Sequence, residues 1–467
     1  MATGDATERV TKDFAVFDCD AHINDPLKIW DYVPEAEHDL VRATYWKTND
    51  QAWLNGVKAS GGGNGEYAPA GMYNPICIAG PQMNKKIVRR LASMVPLTDE
   101  QRDYVEHKGA TDPHARVRDL DLMGIDQVLV IPTKVIQNLP FATDPLGVDA
   151  FCRAYNNFAT DWCAEVPERL YPAALLPLQS PEHAVRELER VAERGFPVGL
   201  IRPFDAAGRY PNDLGLDAGT FGIGGARAAT FDDLFRAFED TGVVLGMHTF
   251  PAHHPPSTAG PGLLASPGEL VAYAGADSQT LSFIFEIQVW LAQVLLCGFL
   301  DRYPKLRMAV FESNSQWLPA FLAHCDRLFL LYANERRWDA KRLPSEAFHE
   351  QCVISFESDE TQTMRQWDTF GDIGIWASDC YHHDGADSWS AIRAMRGIGV
   401  PPEVQAKLLG GNARRIYGIE PKMFVTEEPP PIERPDWFPG GPELDAWAEE
   451  QAHPRRHITA KAAKAAR

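Results

Sequence analysis

The sequence predicts an α/β protein folded as a (β/α)8 TIM barrel with long loop insertions and an extended C-terminal tail. Eight short apolar runs follow one another along the 467 residues, with amphipathic helical patterns between them. No glycine-rich dinucleotide fingerprint follows the first run, which argues against an open nucleotide-binding sheet. Eight strands that alternate with helices have the count and order of a parallel barrel.

Most of the predicted strands are continuous apolar runs. Such runs are typical of parallel strands that are covered on both faces. In chain order the predicted strands are Ala15–Asp20, Gln127–Pro132, Tyr171–Pro177, Val198–Pro203, Val243–His248, Leu306–Glu312, Cys352–Phe356 and Ile373–Ser378.

The helical patterns between the strands have recognisable ends. Pro181–Gly195 follows Ser180, a candidate N-cap, and closes on a glycine, a candidate C-cap. Phe231–Gly242 also ends on glycine, while Ser315–Tyr332 and Thr361–Gly371 occupy the sixth and seventh crossovers. These positions are those of the outer helices of a barrel.

The chain divides into a flexible N-terminus, one barrel and a tail. Insertions interrupt the barrel after several strands, where loops surround the chemistry of such folds. The predicted bounds are 1–13 for the N-terminus, 14–419 for the barrel, about 35–115, 204–228 and 249–280 for the insertions, and 420–467 for an extended, partly disordered tail.

Charge and hydropathy exclude some classes of partner. The 64 acidic and 45 basic side chains give a formal charge of -19, which repels phosphate backbones, so we expect no nucleic-acid partner. Leu281–Leu300 is long enough to span a membrane, but Glu286 and two glutamines interrupt it, and a packed amphipathic helix fits better. We therefore expect no membrane partner.

The N-terminus and the cysteines bear on the compartment. The first residues contain no apolar segment typical of a signal peptide. The eight cysteines are scattered, without a C-x-x-C pair. We interpret them as buried thiols in a reducing cytoplasm.

Three polar side chains share one face of the first predicted strand. Asp18, Asp20 and His22 are two residues apart in FDCDAH, so they point the same way. Buried polar groups need a partner, and a divalent cation on Asp20 and His22 would provide one. A capping aspartate and a hydrogen-bonded surface histidine explain the same pattern equally well.

Two further strands end in residues that bind metals. His248 closes the fifth strand and Asp379 follows the eighth. Because the carboxyl ends of barrel strands meet at one mouth, these residues and the first-strand pair would supply two imidazoles and two carboxylates. This set lies between the preferences of zinc and manganese.

These segments resemble the amidohydrolase superfamily, and more narrowly its amidohydrolase-2 branch, which includes aminocarboxymuconate-semialdehyde decarboxylase. FDCDAHINDPLKIW, WASDCYHHDG and KLLGGNARRIYGI are the most specific matches, and generic helical ones lie between them from Phe17 to Ile419. The resemblance implies one divalent metal per chain, zinc before manganese, and a homo-oligomer. Its implied ligands are Asp20, His22, His248 and Asp379.

The resemblance also implies roles for neighbouring residues. Asp379 would be both ligand and proton shuttle, and Asp18 would orient the ligands. Many relatives carry a catalytic histidine after the sixth strand, where this chain has Ser313 as a supporting residue. Glu312 beside it either takes over proton transfer or is a buried hydrogen-bonding carboxylate.

Substrate contacts are expected at the same mouth. Arg202 after the fourth strand could clamp a substrate carboxylate, or form a salt bridge across the rim. His253 and His254, and His382 and His383, are candidate acid–base or binding groups, and we expect one of each pair at most to act. We assign catalysis to His382 and substrate contact to the others.

Two reactions fit these residues. In the first, a decarboxylase acts on a small, anionic aromatic or unsaturated carboxylic acid, with Asp379 delivering a proton to the carbon that loses CO2. In the second, a hydrolase cleaves a C–C, ester or amide bond with metal-activated water. A metal-free scaffold is a third hypothesis, but it would predict eroded ligand positions. We place decarboxylation slightly ahead.

Overall fold

A computed structural model describes residues 9–23, 27–44, 98, 108–133, 135–136, 139–202, 225–249, 276–334, 340–382, 385–430 and 435–438. Eight strands in these ranges form one parallel sheet in the order β1 to β8. Helices lie between successive strands, so the fold is the predicted (β/α)8 TIM barrel. The strands are β1 (Phe17–Ile23), β2 (Gln127–Pro132), β3 (Leu170–Leu175), β4 (Val198–Ile201), β5 (Val244–His248), β6 (Met308–Phe311), β7 (Cys352–Phe356) and β8 (Gly374–Trp376).

The strand bounds agree closely with the sequence prediction. β2 and β7 match at both ends, and the other strands differ by a few residues. β8 ends at Trp376, and the last hydrogen bond to β7 runs from the Ala377 amide to the Phe356 carbonyl at 3.0 Å, so Ser378 lies beyond the strand. The apolar pattern marks what is buried, whereas a strand ends where its ladder hydrogen bonds end.

β1 and β8 close the barrel beyond the end of β8. The Asp379 amide donates to the Asp20 carbonyl at 3.0 Å, and the His22 amide donates to the Cys380 carbonyl at 2.5 Å. The pairing of β1 with β2 shifts register between Asp18 and Ala21. Such irregularities are common at barrel rims, where they change the direction of side chains.

The helices cover the outside of the barrel. Two predicted ends are observed: the Ser180 hydroxyl accepts from the His183 amide, and Gly242 after Thr241 has a φ of 74°. The helices are His38–Ala43, Pro113–Met123, Pro145–Ala164, Pro181–Ala192, Gly225–Thr241, Ala276–Leu296, Phe299–Arg302, Leu318–Leu331, Pro344–Gln351, Thr361–Arg365, Trp367–Phe370, Ser388–Ile398, Pro402–Ala406 and Asn412–Tyr417, with 3-10 turns Leu27–Tyr32, Glu35–Glu37, Lys108–Ala110 and Leu139–Phe141 and a π turn Lys407–Gly411.

The membrane-length run is a packed helix. It forms Ala276–Leu296, whose Ile287, Trp290 and Leu291 are fully buried in the core. In the ranges given above, no helix has both the length and the apolar character needed to cross a membrane.

The first described residues pair with part of the tail at the amino end of the barrel. Thr11 pairs antiparallel with Glu427, and buried Lys12 contacts Asp126 at 2.5 Å. The other Asp126 oxygen accepts from the amides of Phe424 and Val425. These parts of the N-terminus and tail, expected to be flexible or extended, are therefore anchored on the face opposite the candidate site.

The described cysteines agree with the interpretation as thiols. All seven of them are buried and none forms a disulfide. The remaining cysteine, Cys77, lies outside the described residues.

Candidate metal centre

Acidic and imidazole side chains from four strand ends converge at the carboxyl mouth of the barrel. β1 contributes Asp20 and His22, and β5 contributes His248. Glu312 follows β6, and Asp379 follows β8. The parallel order of the strands brings these sequence-distant groups to one point.

The distances within this cluster fit a bound cation. The His22 Nε2 atom lies 3.3 Å from Asp20 Oδ1 and 3.4 Å from Asp379 Oδ1. His248 Nε2 lies 3.6 Å from Asp20 Oδ2 and 3.4 Å from Glu312 Oε2. Ligands about 2.1 Å from one tetrahedral ion lie roughly 3.4 Å from each other, so the spacing leaves room for an ion between them.

Two buried atoms of the cluster lack an ordinary partner. Among the described residues, no protein group hydrogen-bonds to Asp20 Oδ1 or His22 Nε2, although the two atoms face each other. Leaving such atoms unsatisfied is costly, and a divalent cation satisfies both at once. The donor set therefore fits a metal on the chemistry of its own residues.

Burial keeps the imidazoles in the neutral form that binds metals. It lowers the pKa of His22 well below its usual range, with the charge of His382 adding to the effect. Burial likewise lowers the pKa of His248 to about 3. The His248 Nδ1 atom lies 2.8 Å from the Thr249 carbonyl, which orients Nε2 towards the cluster.

The carboxylates of the cluster repel one another. Burial raises the pKa of Asp20 well above its usual range, and the nearby Asp379 carboxylate raises it further. A bound cation would reverse both effects because it favours the ionised forms.

His382 connects the cluster to solvent. Its Nδ1 atom lies 2.6 Å from Asp379 Oδ1, and its ring lies 4.0 Å from the His22 ring between centroids. The His382 side chain is 19% exposed, whereas that of Asp379 is 4% exposed. Asp379 also has a φ of 50°, which is an uncommon backbone conformation. The hydrogen bond from its amide to the Asp20 carbonyl helps to hold this conformation.

Asp18 supports the backbone of the candidate ligand Asp20 and of Ser378, which precedes Asp379. Its Oδ1 atom accepts from the amides of Asp20 and Ser378, and its Oδ2 atom accepts from the Ser378 hydroxyl at 2.5 Å. Asp18 thus connects β1 to the segment before Asp379. This geometry fits the ligand-orienting role expected for it.

Arg116 is a residue near the site that the sequence analysis did not single out. Its Nη2 atom donates to the His22 carbonyl at 2.6 Å, and its Nε atom donates to the Gly109 carbonyl. The guanidinium is fully buried and lies over the rings of Tyr381 and Trp162. The residues around Arg116 in the sequence do not indicate that it contacts His22.

The turn after β6 brings Glu312, and not Ser313, towards the cluster. Glu312 has a φ of 45°; its amide donates to Ser355 Oγ, and its carbonyl accepts from Thr249 Oγ1. The buried Ser313 hydroxyl donates to the Asn314 carbonyl at 3.1 Å.

Of the residues expected to bind substrate, the structure describes Arg202 alone. Arg202 pairs with the buried carboxylate of Glu286 at 2.9 Å, the salt bridge weighed as its alternative role. His253, His254 and His383 lie outside the described residues.

Comparisons with known proteins find decarboxylases among the relatives of this chain. The chain is 26% identical over 252 residues to a gamma-resorcylate decarboxylase of Polaromonas sp., covering 53% of this chain and 70% of the relative. It is 22% identical over 325 residues to a gamma-resorcylate decarboxylase of Rhizobium sp.. This match covers 68% of this chain and 90% of that relative.

Solved structures share the fold. A 5-carboxyvanillate decarboxylase from Novosphingobium aromaticivorans, with bound manganese and 3-methoxy-4-hydroxy-5-nitrobenzoic acid, superposes with a TM-score of 0.56. It is 18% identical, and the match covers 87% of this chain and 97% of that one.

A family model decides the relationship. The model described as Amidohydrolase matches residues 18–419, which include the barrel and every candidate ligand. The chain therefore belongs to this amidohydrolase family.

Proposed function

We propose that the protein is a metal-dependent decarboxylase, a carboxy-lyase that acts on a small aromatic or unsaturated carboxylic acid. The observation that carries the proposal is two groups of candidate ligands that share His22: Asp20, His22 and His248, and His22, Asp379 and His382. The decarboxylase names of the relatives support this reaction over others of the family.

Asp20, His22, His248 and Asp379 would hold one divalent ion. When bound, the ion would act as a Lewis acid for the oxygens of the substrate carboxylate. The family resemblance favours zinc before manganese, whereas the 5-carboxyvanillate decarboxylase from Novosphingobium aromaticivorans contains manganese. Two carboxylates and two imidazoles suit either ion.

In this proposal Asp379 moves the proton of the reaction. Protonated Asp379 gives its proton to the carbon that carries the carboxylate, the C–C bond breaks, and the electron pair of that bond returns to the ring or alkene as CO2 leaves. The deprotonated Asp379 then regains a proton from solvent through His382, whose Nδ1 atom is 2.6 Å away. His22 and His248 stay neutral because they are buried.

Hydrolysis is the second candidate, and Glu312 is the observation that favours it. Its carboxylate reaches the cluster from the turn where many relatives carry a histidine, 3.4 Å from His248. A carboxylate there could remove a proton from an attacking water, with Asp379 as the alternative base. The ligands serve both reactions equally.

Substrate contacts, assembly and location in the cell are further parts of the proposal. We retain Arg202, His253, His254 and His383 as candidate substrate contacts and Ser313 as a supporting residue. The same holds for assembly as a homo-oligomer and for location in the cytoplasm, which the buried thiols support.

The first experiment is the metal content of the purified full chain by plasma mass spectrometry. We expect close to one zinc or manganese per chain. The loaded protein is then assayed for CO2 release from aromatic acids in D2O, where decarboxylation places one deuterium on the product carbon, and in parallel for hydrolysis of esters and diketones. If no metal is bound, even after incubation with zinc or manganese, both proposed reactions are contradicted. If the protein hydrolyses a substrate and releases no CO2, hydrolysis replaces decarboxylation as its proposed function.

A further inference from the structure

The segment after β8 carries two residues of the candidate site, one on either side of a buried tyrosine. Asp379 precedes Tyr381 by two positions, and His382 follows it directly. Tyr381 is fully buried, as is Cys380 before it. A displacement of Tyr381 would therefore move the backbone from which both site residues extend.

One side of this segment is fixed by β1. The Asp379 amide donates to the Asp20 carbonyl at 3.0 Å. The Cys380 carbonyl accepts from the His22 amide at 2.5 Å. Among the described residues, the backbone bonds to β1 end at Cys380, so the place of His382 depends on further contacts.

Tyr381 is anchored at the far end of its side chain by the helix Pro113–Met123. Its hydroxyl donates to Asp119 Oδ2 at 2.7 Å. Asp119 is only 2% exposed, so both partners of this hydrogen bond lie in the interior. A buried donor and acceptor that pair in this way are costly to separate. The bond therefore ties the segment after β8 to the helix that precedes β2.

Close packing around the pair restricts the tyrosine ring. The guanidinium of Arg116 lies 4.7 Å from the centroid of the Tyr381 ring, and it also donates to the His22 carbonyl. Gly109 approaches so closely that a Cβ atom there would overlap both the Tyr381 hydroxyl and the Asp119 carboxylate. Glycine permits such a close approach of the backbone because it has no side chain. This packing favours a single orientation of the tyrosine.

The contact that such an anchor preserves is the one between His382 and Asp379. His382 Nδ1 lies 2.6 Å from Asp379 Oδ1, although the His382 side chain is 19% exposed. Holding a partly exposed side chain in one geometry costs conformational entropy. A fixed backbone reduces this cost, because fewer conformations of the segment have to be excluded.

We propose that Tyr381 is a positioning residue, whose hydrogen bond to Asp119 keeps His382 in contact with the candidate ligand after β8. Its effect on catalysis rests on the proposed function, in which His382 returns a proton to Asp379. Its effect on the geometry of His382 is independent of the reaction and can be measured without turnover.

The first test removes the hydroxyl and keeps the ring. Tyr381→Phe retains the contact with Arg116 and loses the donor to Asp119. In the metal-loaded full chain we expect kcat for CO2 release to fall by roughly tenfold or more, as is typical when a group that orients site residues is lost. KM should change little, because Tyr381 is buried beneath the site.

A second measurement reports the geometry of His382 directly. Diethyl pyrocarbonate modifies accessible histidines, and peptide mapping by mass spectrometry gives the rate at His382 relative to His349, an exposed histidine on the helix Pro344–Gln351. Loss of the hydrogen bond in Tyr381→Phe should raise this relative rate by roughly fivefold. Asp119→Asn should stay closer to the wild type, because the asparagine oxygen still accepts from the Tyr381 hydroxyl.

Tyr303→Phe is the matched control. Tyr303 is also fully buried, and its hydroxyl also donates to a carboxylate, that of Asp232, at 2.5 Å. It lies before β6, at the end of that strand away from the candidate site. This variant should lower Tm much as Tyr381→Phe does, but it should leave kcat and the relative rate at His382 unchanged. If Tyr381→Phe does not fold, Asp119→Leu removes the acceptor instead and gives the same comparison.

The outcomes separate this proposal from the proposed function. An unchanged relative rate at His382 in Tyr381→Phe overturns the positioning role, as does an equal rise in Tyr303→Phe, which would indicate general loosening. A raised rate in Tyr381→Phe alone, without CO2 release from any acid, supports the positioning role and contradicts the decarboxylase. CO2 release with an unchanged relative rate in Tyr381→Phe does the reverse.

Discussion

Single residues of the candidate site divide into buried candidate ligands and one partly exposed partner. Asp20, His22 and His248 are fully or almost fully buried, whereas His382 reaches solvent and contacts Asp379. Under the proposed function, a proton would enter the site through His382, and the buried groups would bind the metal. This division makes distinct predictions for the two kinds of residue.

His382→Gln tests the proton path. If His382 relays protons to Asp379, kcat should fall by roughly 10²- to 10⁴-fold. The metal content by plasma mass spectrometry should stay close to one ion per chain, because Asp20, His22, His248 and Asp379 are intact. Loss of metal would instead make His382 a ligand, and an unchanged kcat with bound metal would contradict the relay.

Arg116→Met tests a positioning residue beneath His22. Loss of the bond from Arg116 to the His22 carbonyl should raise the Kd of the metal roughly 10- to 100-fold, as is typical for groups that orient ligands. The measurement is competition for zinc with a chromophoric chelator. Arg116→Lys should recover only part of the affinity because lysine lacks the planar fork.

Arg186→Met is the matched control for Arg116→Met. Arg186 lies on the helix Pro181–Ala192 and its side chain is 61% exposed. Its replacement should leave the metal Kd unchanged. Equal Kd values for Arg116→Met and the wild type would exclude the positioning role.

At the scale of elements, the turn after β6 depends on a neighbouring segment. Glu360 precedes the helix Thr361–Arg365 and is buried. Its carboxylate accepts from the Ser315 amide and hydroxyl and from the Glu357 amide. These bonds tie the end of β7 to the turn that carries Glu312.

Glu360→Gln gives a prediction for the pH dependence of stability. Burial raises the pKa of Glu360 above its ordinary value of 4.5, so the folded state binds this proton more tightly than the unfolded state. The contribution of Glu360 to stability is therefore complete below pH 4.5 and is lost as pH rises through the folded pKa. Glutamine does not titrate, so the free energy of unfolding of the wild type minus that of Glu360→Gln should fall from pH 4.5 towards neutrality. Urea unfolding at several pH values measures it; a flat or rising difference would refute the assignment.

For the whole molecule, the metal should stabilise the barrel because its ligands come from β1, β5 and the segment after β8. A ligand that binds only the folded state at 100 times its Kd adds about 2.7 kcal/mol to the free energy of unfolding. Ligands from both ends of the sequence must be in place for the site to exist. Metal binding and closure of the barrel are thus coupled.

Asp20→Asn should abolish the rise in Tm that zinc or manganese causes. Without metal, this variant should be at least as stable as the wild type, since it no longer buries a carboxylate. Differential scanning calorimetry with chelator and with added metal measures both effects. Asp144→Asn, at the cap of the helix Pro145–Ala164, is the control and should keep the metal-dependent rise. A rise of equal size in Asp20→Asn would place the ion elsewhere on this acidic chain.

Local patterns in the sequence were sufficient to predict the barrel and to select the candidate ligands at its strand ends. Burial on both faces requires apolar runs, so the strands could be located to within a few residues, and the polar residues Asp20, His22, His248 and Asp379 stood out at their ends. Parallel strands that neighbour one another in sequence then bring these ends to one mouth.

Other features depend on pairs of groups far apart in the chain. The salt-bridge partner of Arg202 was not evident from the sequence, because Glu286 comes from the distant helix Ala276–Leu296. Arg116 under His22 and Asp126 between Lys12 and Phe424 likewise had no local signal. The periodicity of a segment reports which of its faces is buried, but the partner of a buried polar group is set by the three-dimensional packing of distant segments.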